Sequence, residues 1–326
     1  MHEKVPFLLH VLPNILGLLL NAILYVLARY HSPQTIRIYS LLILNFAVCD
    51  FFACLTSLIV CQRIIPGGTS LFYISEGLCQ YIGPRFCYVS YSIMLHMLSH
   101  SFYSIVLSFS FRYYVVVHKT PSVNKIKLII FLIYLPSFLQ MVSFSFADDP
   151  PEVIVPLLRS KYPQYNLTGR TVTGNLNIFE WKALATILYM TIPVAPVYIC
   201  VLALRRGIVR HLNDSIMSSR TRNLHQQLLT ALIWQAMLPL FYLLAVLSYA
   251  CGQLGIYNHP LLEHSTFILA GFVPTLSPIT SLYFVRHYRD RLRYAFIKRS
   301  SILREAHSKE FSTVRDSQTH RTSHTV

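Results

Sequence analysis

The apolar and polar positions divide the chain into seven long apolar runs separated by polar breaks. The runs cover roughly residues 7–28, 39–61, 86–111, 128–147, 183–204, 227–251 and 262–285. Each comes close to the roughly 20 apolar residues that a helix needs to cross a bilayer core. A backbone crossing lipid has to satisfy its polar groups internally, which selects helices for runs of this length. The period-two alternation of an outer-membrane barrel is absent. The expected fold is an all-α membrane protein, a seven-transmembrane helix bundle over residues 1–285.

The breaks carry turn and charge signals. Pro33 interrupts the first, Pro66-Gly67-Gly68 and Pro84 the second, and the longest, Asp148 to Lys182, opens Asp-Asp-Pro-Pro. Beyond the last run, basic residues over about 286–299 interleave with Tyr288, Leu292, Tyr294, Phe296 and Ile297. That pattern predicts a short amphipathic helix on the inner membrane face, followed by a disordered cytoplasmic tail to residue 326.

Composition agrees with lipid as the main solvent: 54% of residues are hydrophobic and 13% charged, against about 25% charged in soluble domains. The net charge of +15 raises the question of nucleic acid. Its distribution answers otherwise, because the charge sits in short clusters between apolar runs, where it suits membrane lipid. Of the 28 Lys and Arg residues, 21 lie in the tail or in the breaks after spans one, three and five. The positive-inside rule then places the N-terminus outside and the C-terminus inside. The first run is long and lacks a small-residue cleavage site, so it reads as a span acting as signal anchor. Of two glycosylation sequons, Asn166-Leu167-Thr168 falls outside and Asn213-Asp214-Ser215 inside, so modification is expected at Asn166 alone.

Within the spans, polar residues and prolines stand out. Asp50 is the acidic residue deepest in a run, and an ionisable group in hydrocarbon needs partners. Asn21 of span one and Ser277 of span seven are candidates, which together suggest a polar switch centre. Arg112 closes span three in Phe-Arg-Tyr-Tyr, a position suited to a cytoplasmic switch. Pro239 inside span six frees a carbonyl and makes a pivot. Pro274 and Pro278 interrupt span seven, and Tyr283 follows near its end. His96 and His100 share a helix face, and polar lining suits them better than a metal site, since no third ligand is evident. No CxxC pair, HExxH, phosphate loop or nucleophile elbow is present, so the sequence supports no enzyme, metal or cofactor.

In order, these landmarks resemble those of rhodopsin-like receptors. Asn21 matches the span-one asparagine, Asn45 to Asp50 the span-two asparagine–aspartate motif, Arg112 the arginine closing span three and Pro239 the span-six proline. Ser277-Pro278 is similar to a degenerate span-seven Asn-Pro. A closer resemblance is to the nematode serpentine chemoreceptors of class delta, over roughly residues 5–295. It is carried by SPQTIRIYSLLILN (Ser32 to Asn45), QRIIPGG (Gln62 to Gly68), CYVSYSIMLHMLSHS (Cys87 to Ser101), FRYYVVV (Phe111 to Val117) and SPITSLYFVRHYR (Ser277 to Arg289).

The resemblance implies an odorant-type receptor on the sensory cilia of neurons. It would bind a small molecule from outside and activate a heterotrimeric G protein. A pocket is expected among the outer halves of spans three, five, six and seven, with Tyr91, His96, Tyr189, Tyr242 and His264 as depth-based candidates. The chain departs from the wider pattern in three places. Phe111 replaces the acidic residue before the span-three arginine, and Ser281 stands at the usual span-seven tyrosine. The usual disulfide runs from the top of span three to the second outer loop, but residues 148–182 contain no cysteine. Cys79 or Cys87 pairing with Cys61 or Cys251 remains open. Two rival classes are a seven-span ligand-gated channel subunit, whose inverted topology the charge count opposes, and a small-solute transporter, which the odd span count disfavours. Transporter sites lie at unwound glycine-rich helices, whereas the spans hold only Gly17 and Gly271.

Overall fold

A computed structural model describes residues 4–33, 37–118, 120–165, 167–214, 219–257 and 259–294, with side chains except those of Lys4 and 212–233. The helices are α1 (Lys4–Tyr30), α2 (Arg37–Val60), α3 (Pro84–Val117), α4 (Val123–Phe144), α5 (Pro151–Lys161), α6 (Trp181–Thr191), α7 (Val194–Asp214), α8 (Ser219–Gln253) and α9 (Pro260–Phe284). Among the described residues, seven segments are long and apolar enough to span a membrane, α6 and α7 together forming the fifth. The chain is a multi-pass membrane protein. Helix α3 is the central post: 78% of its most apolar window is buried, against 11% for α4. It is also the least hydropathic span. A helix shielded by its neighbours can carry many Ser, His and Tyr, whose polar groups are costly on a face exposed to lipid.

Span five is not one continuous helix. Pro193 has no N–H to donate, so the helical bond to the Tyr189 carbonyl is missing and α6 ends at a turn over Ile192 and Pro193. The Tyr103 hydroxyl of α3 donates to that Tyr189 carbonyl instead, at 3.0 Å.

Between the spans the chain builds more than loops. Strands β1 (Gln62–Gly67), β2 (Ser70–Ser75) and β3 (Thr171–Asn175) form an antiparallel sheet in the order β1-β2-β3. Gly67 pairs with Ser70, leaving a two-residue hairpin loop that starts at Gly68 with φ +73°, a conformation glycine adopts without strain. The sequence read 62–85 and 148–182 as breaks, yet they hold this sheet and α5. The runs are too short to register beside the spans.

The sheet sits on one end of the bundle, with its faces divided by the period-two rule. Ile64, Leu71 and Tyr73 join the core of the bundle. Ile65, Phe72 and Ile74 pack the opposite way, against Ile154 and Leu158 of α5. The result is a layered lid of helix on sheet on bundle. One disulfide fastens its edge, joining Cys79 of a short turn (Leu78–Tyr81) to Cys87 in the first turn of α3. This corrects the pairings left open by the sequence, all of which reached to Cys61 or Cys251. Cys61 and Cys251 are free thiols, while the tight turn into α3 brings the Cα atoms of Cys79 and Cys87 to 5.1 Å, within the usual reach of a disulfide.

At the opposite end, residues 286–294 form a short helix after α9. Tyr288 is fully buried there, its hydroxyl 2.7 Å from that of Ser32. The rest of the tail, including 295–299 of the expected amphipathic helix, lies outside the described residues, as does Asn166.

Candidate functional site

Beneath the lid lies a cavity of about 90 Å³. Helix periodicity assembles its walls, since residues three, four and seven apart share a face. Helix α3 contributes Tyr91, Leu95 and Leu98; α8 contributes Tyr242, Ala245, Val246 and Tyr249. Helix α6 adds Thr186, Ile187, Met190 and Thr191, and α9 adds Thr266, Phe267 and Ala270. Phe144 of α4 and the inward face of the sheet, Ile64, Leu71 and Tyr73, complete it. No charged side chain lines the space. Tyr91 is the hub, with ring centroids 4.9 Å from Tyr73, 5.6 Å from Phe267 and 5.9 Å from Phe144. The Tyr73 hydroxyl is turned away from the space toward Asn175 of β3, to which it donates at 3.0 Å. The Tyr249 hydroxyl is buried with no hydrogen-bond partner.

Of the five residues expected at the pocket, Tyr91 and Tyr242 line it and the other three do not. His96 lies five positions beyond Tyr91, roughly 140° around the helix, and packs instead on Tyr134 of α4 with centroids 4.7 Å apart. Tyr189 stacks beside Tyr103, 5.2 Å away, on the far side of α6 from the cavity-lining Ile187 and Thr191. His264 sits at the sheet end of α9, near Arg63. Depth was readable from the sequence; facing was not. Tyr73 and Leu71, which form the ceiling, escaped notice because they belong to a strand that the pattern of spans hides.

Helix-to-helix polar contacts descend from the cavity toward the other end. The Asn21 amide donates at 2.9 Å to the carbonyl of Pro274. That carbonyl is free because Pro278, four residues on, has no N–H. Gly17, one turn earlier, lets α1 approach so closely that a Cβ there would stand 2.6 Å from Cys54 Sγ and 2.9 Å from Thr275 Oγ1. Asp50 is fully buried and accepts from the Ser101 hydroxyl at 2.5 Å, with Ser277 beside the same carboxyl group. One turn further down, Asn45 donates to Ser104 at 2.8 Å, and its carbonyl oxygen is 3.0 Å from His100 Nε2. At the end of α3, Arg112 is buried, donates to the Tyr39 hydroxyl of α2 and lies 4.8 Å over the Tyr39 ring. Its Nε and Nη1 have no hydrogen-bond partner among the described residues. With Phe111 in place of an acid, an aromatic ring holds the guanidinium. Pro239 is buried in α8. Tyr283 faces outward, 59% exposed, against Phe284, and stands apart from this buried set.

A third cluster ties the lid to the bundle. Arg63 of β1 and Glu263 of α9 form an ion pair at 2.7 Å, both side chains more than nine-tenths buried. The Tyr165 hydroxyl donates to the other Glu263 oxygen at 2.5 Å, and the Tyr165 ring lies 4.7 Å from the Arg63 guanidinium. Burial, reinforced by the Glu263 carboxylate, pushes the Tyr165 hydroxyl well above its ordinary pKa. It therefore remains a donor.

The sequence profile of the "Serpentine type 7TM GPCR chemoreceptor Srd" family matches residues 8–294. Serpentine receptor class delta-19 of Caenorhabditis elegans is 38% identical over 287 residues, covering 86% of this chain and 84% of its own length. Serpentine receptor class delta-3 from the same organism is 34% identical over 288 residues, covering 86% and 84%. The buried arginine on α3, the capped prolines of α9 and the seven-span bundle thus occur in a chain that belongs to the class delta serpentine receptors, a family of seven-transmembrane, G-protein-coupled-receptor-type chemoreceptors.

Proposed function

We propose that this chain is a chemosensory receptor that binds a small molecule in the cavity beneath the lid and passes the event to a heterotrimeric G protein at the Arg112 end. The observation that carries the reading is the arrangement along α3. Its sheet-end half forms one wall of an uncharged aromatic cavity. Its other half holds Ser101, His100, Ser104 and Arg112 against α2. A ligand that fits one packing of α3 better than another shifts the population of the two. Because α3 is a continuous helix, the shift is felt at the Tyr39–Arg112 contact. In this reading the lid and N-terminus face outward, Asn166 carries a glycan, and the protein sits in the plasma membrane, in nematode neurons at the sensory cilium. Asn21, Asn45, Asp50, Pro239 and Pro278 form the switch layer between the two ends.

The first test is cell-surface display of an N-terminal tag with and without permeabilisation, alongside Asn166→Gln. The reading requires the tag on intact cells and a glycan lost in the variant. A tag reached only after permeabilisation inverts the topology and removes the proposal. The second is a signalling readout with and without G-protein depletion, in which a response that survives depletion rejects coupling.

A further inference from the structure

The cavity is closed above and open to one side. Its upper wall is Ile64, Leu71 and Tyr73, each at most 5% exposed, and α5 seals the other face of the same strands. The α3 and α4 walls are equally shut, with Tyr91, Leu95 and Phe144 at most 4% exposed. By contrast, Ile187, Met190 and Thr191 of α6 and Val246 and Tyr249 of α8 are only half-buried, with Thr266 of α9 the one half-buried lining residue elsewhere. The accessible side of the cavity therefore lies between α6 and α8. Helix α6 packs mainly on α4 and ends at the Ile192–Pro193 turn. At the same depth the outer faces of both helices are apolar and open: Leu188 and Ile192 of α6 and Leu244 and Leu247 of α8, the last two roughly 150° around α8 from its cavity face, are all 42–63% exposed. In a membrane protein, apolar side chains so exposed on spanning helices face hydrocarbon. The gap starts one to two turns below the sheet end of both helices, about 6–9 Å down at 1.5 Å per residue, and so opens among acyl chains.

We propose that the natural ligand is a neutral, lipid-soluble molecule that reaches the cavity sideways, from the leaflet at the lid end, between α6 and α8. This rests on the reading of the cavity as the ligand site. The route selects the chemistry. A carboxylate or ammonium group in the bilayer core is costly, and the cavity offers it no counter-charge. A single carbonyl or ether oxygen is acceptable, since the unpartnered Tyr249 hydroxyl can donate to it.

The test uses full-length protein in phosphatidylcholine nanodiscs and two photoreactive probes. One is a medium-chain aliphatic ketone bearing a diazirine; the other is the carboxylate of the same chain length. Labelled residues are read by mass spectrometry. The ketone is expected to label α3, α6 or α9 at the cavity at least about tenfold more than the carboxylate, and to lose that labelling in Ala270→Trp. Equal labelling by the carboxylate overturns the ligand class. For the route, Pro66→Cys with Gly252→Cys adds a lid lock, since a Cβ at 252 stands 3.0 Å from the Pro66 ring. The rate of ketone labelling should be the same with the lock oxidised or reduced, with wild type treated alike. A severalfold slowing on oxidation, absent in wild type, shows passage through the lid and overturns the lateral route. Ketone labelling absent from the cavity overturns the whole proposal. If cells then still signal through a G protein, the receptor reading stands without this cavity.

Discussion

At the scale of single residues, the spans are pinned by a few polar groups whose partners can be named. Asn21 illustrates how they work: its amide satisfies the Pro274 carbonyl that Pro278 leaves free, so two helices share one repair. Asn21→Ala removes the repair while leaving the carbonyl buried, which costs about 1–3 kcal/mol. Purified variant protein should unfold several degrees lower, and a variant as stable as wild type would show that water or lipid fills the role. Gly17→Ala should reduce surface expression sharply, since its Cβ meets Cys54 Sγ at 2.6 Å. Adding Cys54→Ala should restore part of the loss, because the Thr275 backbone, at 3.2 Å, still intrudes. Such residues were legible in the sequence because an Asn or Asp in an apolar run advertises a buried partner. The pocket was half legible. Tyr91 and Tyr242 were found by depth, but His96 and Tyr189 were not distinguishable from them. Facing is set by which neighbour a helix packs against, and one sequence carries no record of that.

At the scale of elements, prolines and a disulfide decide where helices end. The break between α6 and α7 follows from Pro193, and the Tyr103 hydroxyl accommodates the freed carbonyl. The sequence supported a single fifth span here because hydropathy averages across a proline. The lid was hidden for the same kind of reason: strands of five and six residues hold too few apolar positions to compete with spans of more than twenty. Its edge is held by Cys79 and Cys87, which close a short loop. Cys79→Ser and Cys87→Ser should each lower stability by about 2–4 kcal/mol, read as a shift in thermal midpoint. The double variant should match the singles. Additive losses would mean that the two thiols act separately.

At the scale of the whole molecule, the lid and the bundle are joined where Arg63, Glu263 and Tyr165 meet. Removing one partner of a buried ion pair leaves the other charge uncompensated, at a cost of about 3–5 kcal/mol. Glu263→Ala should therefore loosen the lid before the bundle, seen as faster hydrogen exchange in residues 62–75 and 171–175 with α3 unchanged. Tyr165→Phe, which deletes one hydrogen bond to the carboxylate, should give a smaller change in the same segments. Uniform loosening of bundle and lid in both variants would show that the cluster supports the entire fold.

The division of labour within β1 and β2 bears on how such a chain diversifies. Neighbouring positions on one strand answer to different constraints: Phe72 and Ile74 to the packing of α5, Leu71 and Tyr73 to whatever occupies the space below. A duplicated copy can therefore reshape the cavity by altering alternate residues, with the intervening ones keeping the ceiling folded. Cavity shape and lid stability become separately heritable within a hairpin of fourteen residues, 62–75.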